Sequence, residues 1–324
     1  MTEKTNIYWQ DDEELLPTQF LTQLDEHIVK TEQARERRGH LGFSQIGNKD
    51  ERTIWLKHRW CLNDIEDARV LRIFRLGDAI EEELARFIRQ VPGIKFFATD
   101  PENGKQFRFK FLGGHFAGSM DGCILGIPEA PKTWHVWEAK SAKDSKFKEL
   151  LKAKGGVKDW SDDYWGQAHC YMGASGMTRN LFMVYNKDTS EIYQERIKFD
   201  HMHWDSLKVK AERLLTATEP PESSYPKREF YKARMMSEAD QAIYWGDALP
   251  PRAHCRNCRH SAPILEGEGA RWFCGKRNCY LTTQNQHAGC DGHEWIEALV
   301  PDELKNDENI QTMKRVFGAR VIGG

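Results

Sequence analysis

The stretch GSMDGCILGIPEAPKTWHVWEAKSA, residues 118–142, holds three side chains suited to phosphate chemistry. Glu138 and Lys140 are two residues apart in an apolar run with Trp134, Val136 and Trp137. On a strand they project from one face, and Ala139 points away. A hairpin over the turn GIPEAP brings Asp121 beside Glu138. Two carboxylates at a sheet edge make a hard, oxygen-rich site for Mg²⁺ or Mn²⁺. The small Ala139 leaves room for its backbone carbonyl to join them. A cation held there generates hydroxide near neutral pH and polarises a phosphate oxygen. A neighbouring lysine orients the water or offsets charge developing on phosphorus. An isolated E-x-K is more often an exposed salt bridge, because three-letter motifs arise by chance.

Three further features favour the chemical reading. In FRLGDAIEEELARFI, Glu81 follows Gly77 by one helical turn, with small neighbours that let a metal or a backbone approach. Glu82 and Glu83 are its rivals. In DYWGQAHCYM, Gln167 and Tyr171 are four apart and share a helix face. An amide and a phenol there can bond a phosphate. Downstream of Glu138, seven lysines (140, 143, 146, 148, 152, 154, 158) stand against Asp144, Glu149 and Asp159. Lys143, Lys146, Lys148, Lys152, Lys154 and Lys158 are candidate phosphate contacts, and Trp160, Tyr164 and Trp165 are aromatic surfaces on which bases stack.

The elements that must position these groups follow from periodicity. From Asp64 to Gln90, Ile73, Leu76, Ile80, Leu84, Phe87 and Ile88 recur at helical spacing. Ser44 is placed to cap a helix that carries Ile54, Trp55 and Leu56 inward. QFRFKFL, HFAGSMDGCIL and TWHVWEAK read as three strands. DYWGQAHCYMGAS reads as a helix, NLFMVYNK and IYQERIKF as a strand pair, and MHWDSLKVKAERLL as a closing helix. Helices, a run of strands, then a helix beside further strands imply an α/β core with a mixed sheet.

In order along the chain, Gly77 with Glu81 (G-x-x-x-E), Gly118 with Asp121 (G-x-x-D), Glu138 with Lys140 (E-x-K) and Gln167 with Tyr171 (Q-x-x-x-Y) resemble the RecB-like and lambda-exonuclease-like branches of the PD-(D/E)XK nuclease superfamily. The resemblance runs over about residues 44–215. It implies a restriction-endonuclease-like core, with a mixed central sheet flanked by helices. It also implies a metal-dependent DNA exonuclease of phage or prophage recombination or replication. Catalytic roles then fall to Glu81, Asp121, Glu138, Lys140, Gln167 and Tyr171, with Mg²⁺ or Mn²⁺ on Glu81, Asp121, Glu138 and the Ala139 carbonyl. FSQIG with a following Arg is similar to the opening segment of phage-encoded members, which gives Ser44 and Arg52 a DNA role. The implied partners are DNA and a single-strand annealing or other recombination protein. Many relatives carry histidine where Glu81 stands. Members with an iron–sulfur cluster carry an early cysteine that GNKDER lacks. The rivals are a structure-specific or restriction-type endonuclease and a non-catalytic DNA-binding or assembly factor on the same fold.

Five of eight cysteines crowd one segment: Cys255, Cys258, Cys274, Cys279 and Cys290. CRNC is a zinc knuckle, and Cys274 and Cys290 are its natural second pair, with Cys279 and His293 as rival ligands. A structural Zn²⁺ is expected, ahead of an iron–sulfur cluster. The expected organisation is a helical arm (1–40), the nuclease core (41–218), a connector (219–251), the Cys-rich zinc module (252–300) and a tail (301–324). The 324 residues carry a net charge of −2, so any nucleic-acid surface must be a local patch. No apolar run approaches a membrane span, and the acidic N-terminus lacks a secretory pattern. A cytoplasmic protein is expected, in a host cytoplasm if phage-encoded.

Overall fold

A computed structural model describes residues 19–35, 37–62 and 66–306. Residues 1–18 of the expected arm and 307–324 of the expected tail lie outside these. The chain begins with α1 (Gln19–Gln33), β1 (Leu41–Gly42), α2 (Glu51–His58) and α3 (Ala68–Arg89). Strands β2 (Lys95–Phe97), β3 (Arg108–Phe111), β4 (Phe116–Ser119), β5 (Gly122–Leu125) and β6 (His135–Ala142) follow. Then come α4 (Asp144–Lys152), α5 (Val157–Trp160), α6 (Asp162–Ser175), β7 (Arg179–Asn186), β8 (Ile192–Lys198), α7 (His201–Thr216) and α8 (Glu238–Trp245). The last part holds β9 (Ser261–Pro263), β10 (Trp272–Cys274), β11 (Cys279–Leu281), α9 (Thr283–Ala288) and α10 (Asp302–Asn306).

The described residues fall into two compact units: 19–35 and 37 with 66–76, and 38–62 with 77–306. In the first, Ile28, Ala68 and Leu71 bury one another, and Arg72 pairs with Asp25. Among the described residues, the second holds three sheets. The largest is five-stranded and mixed, in the order β2-β5-β6-β7-β8. Its β6 and β7 run parallel, and its other neighbours antiparallel. The two faces of β6 diverge as period two requires. Trp137 and Ala139 pack with Leu84, Ala85 and Ile88 of α3. Val136 and Ala142 join Phe182, Val184, Phe147 and Ala168 in the larger core. A fully buried side chain such as Trp137 or Phe182 contributes roughly 1.5–3 kcal/mol, so the central strand is held stiffly from both sides.

Several expectations need correction. HFAGSMDGCIL is not one strand. It splits at Met120 and Asp121 into β4, in a three-stranded β1-β4-β3 sheet, and β5, in the large sheet. Gly118 packs against the Phe43 ring and Gly122 against the Phe97 carbonyl, where a Cβ would clash, so the chain can cross between sheets there. Ser44 caps no helix, because α2 begins at Glu51 behind Asp50. Of the stripe on α3, Leu84 and Ile88 are buried, but Ile73, Leu76 and Phe87 are exposed. The expected connector also contains α8, whose Ile243 and Tyr244 bury with Trp55 and Leu56 of α2.

Candidate active site

The site lies at the break between β4 and β5. The β5–β6 register pairs Gly122 with Trp137, which sets Asp121 level with the next residue of β6. One Asp121 carboxylate oxygen accepts the Ala139 backbone N–H at 3.2 Å. The chain crossing thus aims Asp121 at the strand that carries Glu138 and Lys140. Glu138 is fully buried. The Lys140 ammonium makes a close ion pair with Glu138 Oε1 and stands 3.9 Å from Asp121 Oδ2. It also lies 5.6 Å from the centre of the Tyr164 ring. Glu138 Oε2 is buried with no hydrogen-bond partner among the described residues.

Glu81 reaches this group from α3. Gly77 places α3 beside β6, where a Cβ would make ordinary contact with Ser141 Oγ at 3.6 Å. Glu82 and Glu83 are exposed, and Glu83 is committed to Arg86. Burial pushes the Glu81 carboxyl up to about 7, helped by the Asp121 charge and opposed by Lys140. Burial, with Asp121 and Glu81 beside it, pushes Glu138 up to about 8 against the pull of Lys140. Burial alone would lower the Lys140 ammonium, but the Glu138 and Asp121 carboxylates more than offset this and hold it above its ordinary value. Glu81 and Glu138 are thus coupled, and both take up protons near neutral pH.

Helix α6 supplies the other wall. The Ser161 hydroxyl caps it by accepting the Tyr164 N–H at 3.3 Å. Gln167 is buried, and Tyr171 donates its phenol proton to the Ser119 carbonyl at 2.6 Å. Burial, then the Glu138 and Asp121 charges, hold the Tyr171 phenol above its usual range, so it stays protonated.

The sequence matches no protein-family profile and no curated protein. It is similar to two crystal structures of LHK-Exo, an alkaline exonuclease from Laribacter hongkongensis, one of them in complex with dAMP. Each is 17% identical, with a TM-score of 0.40, over 59% of this chain and 90% of that one. The crystal structure of SSO0001 is 10% identical, with a TM-score of 0.40, over 68% of this chain and 97% of that one. At this level of likeness, the function is read from the site itself.

The structure brings Glu81, Asp121, Glu138, Ala139, Lys140, Gln167 and Tyr171 to one place. Among the described residues, no three of His, Cys, Asp and Glu stand in ion-holding geometry. The Lys140 ammonium sits between Glu138 and Asp121 and draws both carboxylates to itself.

Lys143, Lys146, Lys148, Lys152, Lys154 and Lys158 are exposed along α4 and α5. Lys146 is paired with Glu149, and Lys148 with Asp144. Ser44 is exposed. Arg52 is differently employed: it donates to the carbonyls of Tyr244, at 2.7 Å, and Pro221, at 3.0 Å. Its guanidinium ties α2 to α8 and is not turned to solvent as a phosphate contact requires.

Tyr164, expected as a base-stacking surface, lies with its ring centre 5.6 Å from the Lys140 ammonium, and the sequence reading passed over a second basic face. The β1-β4-β3 sheet turns Leu41, Phe116 and Phe111 to the core, while Gly42, Ala117 and Lys110 align on its other face. Arg108 pairs across the ladder with Ser119, two residues from Asp121. Burial, with Arg38, Arg108, Arg256 and Lys110 around it, depresses the His40 imidazole to about 4. The alternation in RFKF was the available signal for this face.

Proposed function

We propose that the protein is a Mg²⁺- or Mn²⁺-dependent deoxyribonuclease with a PD-(D/E)XK core, acting as an exonuclease in phage or prophage DNA recombination or replication. The observation that supports it is the gathering of Glu81, Asp121 and Glu138 around one ammonium, Lys140, with Glu138 wholly buried. Three carboxylates against one lysine leave uncompensated negative charge in a poorly hydrated place, which is costly. A divalent cation would cancel it. The donors suit a hard cation: carboxylate oxygens and the Ala139 carbonyl. The partnerless Glu138 Oε2 supplies a lone pair for it.

When bound, the metal supplies a hydroxide near neutral pH and polarises the phosphodiester. The chain's own groups do the rest. Lys140, kept charged, orients the attacking water and offsets charge growing on the phosphate oxygens. Tyr164 limits where its ammonium can swing. Gln167 offers an amide to a phosphate oxygen, and Tyr171, tied to Ser119, braces β4 against α6. The exposed lysines of α4 and α5 hold the DNA backbone and account for binding without sequence readout. A single-strand annealing or other recombination protein is the proposed protein partner.

The test is end-labelled linear DNA beside covalently closed circles, each with Mg²⁺ or EDTA. Mg²⁺-dependent release of nucleotides from linear DNA alone is expected. Nicking of closed circles would replace the exonuclease reading with an endonuclease. Binding of both DNAs with no cleavage would leave a DNA-binding factor.

A further inference from the structure

We infer that Cys255, Cys258, Cys274 and Cys290 form a four-thiolate zinc site that fastens the C-terminal module to the α2 platform. The four thiols come from three separate stretches: the turn 255–258, the end of β10, and the loop after α9. All four line one small pocket. None is in a disulfide. Of the rival ligands, Cys279 lies outside this pocket, while His260 and His293 line it but have other partners. Cys279 pairs with Cys274 in the ladder but is exposed and outside the pocket lining. His293 Nε2 is 2.9 Å from Asn257 Oδ1, and His260 Nε2 is 3.0 Å from a Glu294 carboxylate oxygen.

The surroundings suit thiolates. The Glu294 backbone N–H donates to Cys258 Sγ at 3.5 Å. Lys276 and Arg277 line the same pocket. Four thiolates around Zn²⁺ would carry a net charge of −2, beside Lys276 and Arg277, which are themselves paired with Glu294 and Asp291. As the chain stands, the four sulfurs are not in ion-holding geometry, and Cys255 turns its thiol to the Asn285 carbonyl at 3.4 Å. Ligation therefore takes a rotation of that side chain and the loss of thiol protons. Soft sulfur ligands select zinc, while the carboxylates around Lys140 select hard cations, so the two sites are chemically separate.

The module needs such a staple. Strands β9, β10 and β11 have three residues each. Strands that short do not hold a fold by themselves. Yet the α2 platform depends on the module. Buried Arg256 lies over the Trp60 and Trp272 rings, at 3.9 and 4.8 Å, and donates to Gln286 and to the His58 and Gly39 carbonyls. Buried Arg59 donates to the Arg256 and Ser261 carbonyls in return. If the turn carrying Cys255 and Cys258 loosens, Arg59 loses two of its acceptors and Arg256 is drawn away from His58 and Gly39.

The full-length protein should contain about one zinc per chain. Replacing it with Co²⁺ should give the intense visible bands of a tetrahedral thiolate site. Cys258→Ser and Cys290→Ser should lose the metal, and Cys279→Ser should keep it. If Cys258→Ser does not fold, the metal content and Co²⁺ spectrum of the wild-type protein still decide the matter. Asp121→Ala should keep its zinc, which separates this inference from the nuclease reading. No zinc, with every thiol freely reactive in the native state, would overturn it. So would iron in place of zinc, or loss of zinc from Cys279→Ser.

Discussion

Replacing Glu138 with glutamine should stabilise the metal-free protein at alkaline pH. The carboxyl is fully buried and pushed up to about 8 from an ordinary value of 4.5. The folded state therefore holds a proton there that the unfolded chain gives up. This group's contribution to stability is complete below pH 4.5 and is lost as pH rises to about 8. At about 1.4 kcal/mol per pH unit, the full loss above pH 8 is roughly 5 kcal/mol. Glu81 and Asp121 share the burden, and protonation of Glu81 relieves part of it. A gain of about 2–3 kcal/mol for Glu138→Gln at pH 8, and little at pH 5, is therefore expected. Glutamine also leaves Lys140 facing two acids where it had faced three, so the ammonium keeps a partner. Urea denaturation in EDTA at pH 5, 6, 7 and 8 measures the effect. Saturating Mg²⁺ should stabilise the wild-type protein more than the variant, because only the wild type presents the full carboxylate set. A pH-independent difference, or a variant less stable at pH 8, would refute the account of Glu138 as a strained, buried charge.

Other perturbations separate the roles of the remaining groups. Asp121→Ala should abolish Mg²⁺-dependent cleavage yet keep DNA affinity in a filter-binding assay, since the lysines of α4 and α5 are untouched. Lys140→Ala should lower the single-turnover cleavage rate by about 10²–10³, and a loss below tenfold would make it a bystander. Changing Lys143, Lys152 and Lys154 to glutamine should flatten the log–log salt dependence of DNA binding by about two to three. An unchanged slope would move the DNA to the face carrying Arg38, Arg108 and Lys110. Arg52→Ala should cost about 2 kcal/mol in stability with DNA affinity unchanged, because its guanidinium is spent on two backbone carbonyls.

What could be read from the sequence was local. The two-residue period of a strand puts Glu138 and Lys140 on one face, and the four-residue period of a helix does the same for Gln167 and Tyr171. Those relations are properties of the backbone and need no partner. The mixed α/β architecture was legible for the same reason, because period-two and period-3.6 stretches alternate along the chain. Folding was needed wherever two distant segments compete for one side chain. Glu81 is distinguished from Glu82 and Glu83 only when α3 docks on β6 at Gly77 and the other two are left outside. The strand expected through Met120 breaks because two sheets compete for its halves, and that break is what aims Asp121. Arg52 had the look of a phosphate ligand until α8 packed on α2 and took its guanidinium. Lys140 shows the same limit: its neighbours in the chain do not reveal that three carboxylates converge on it. That charge balance is a sum over residues far apart in sequence, and close contact sets its size because the interaction falls with distance and grows as water is excluded.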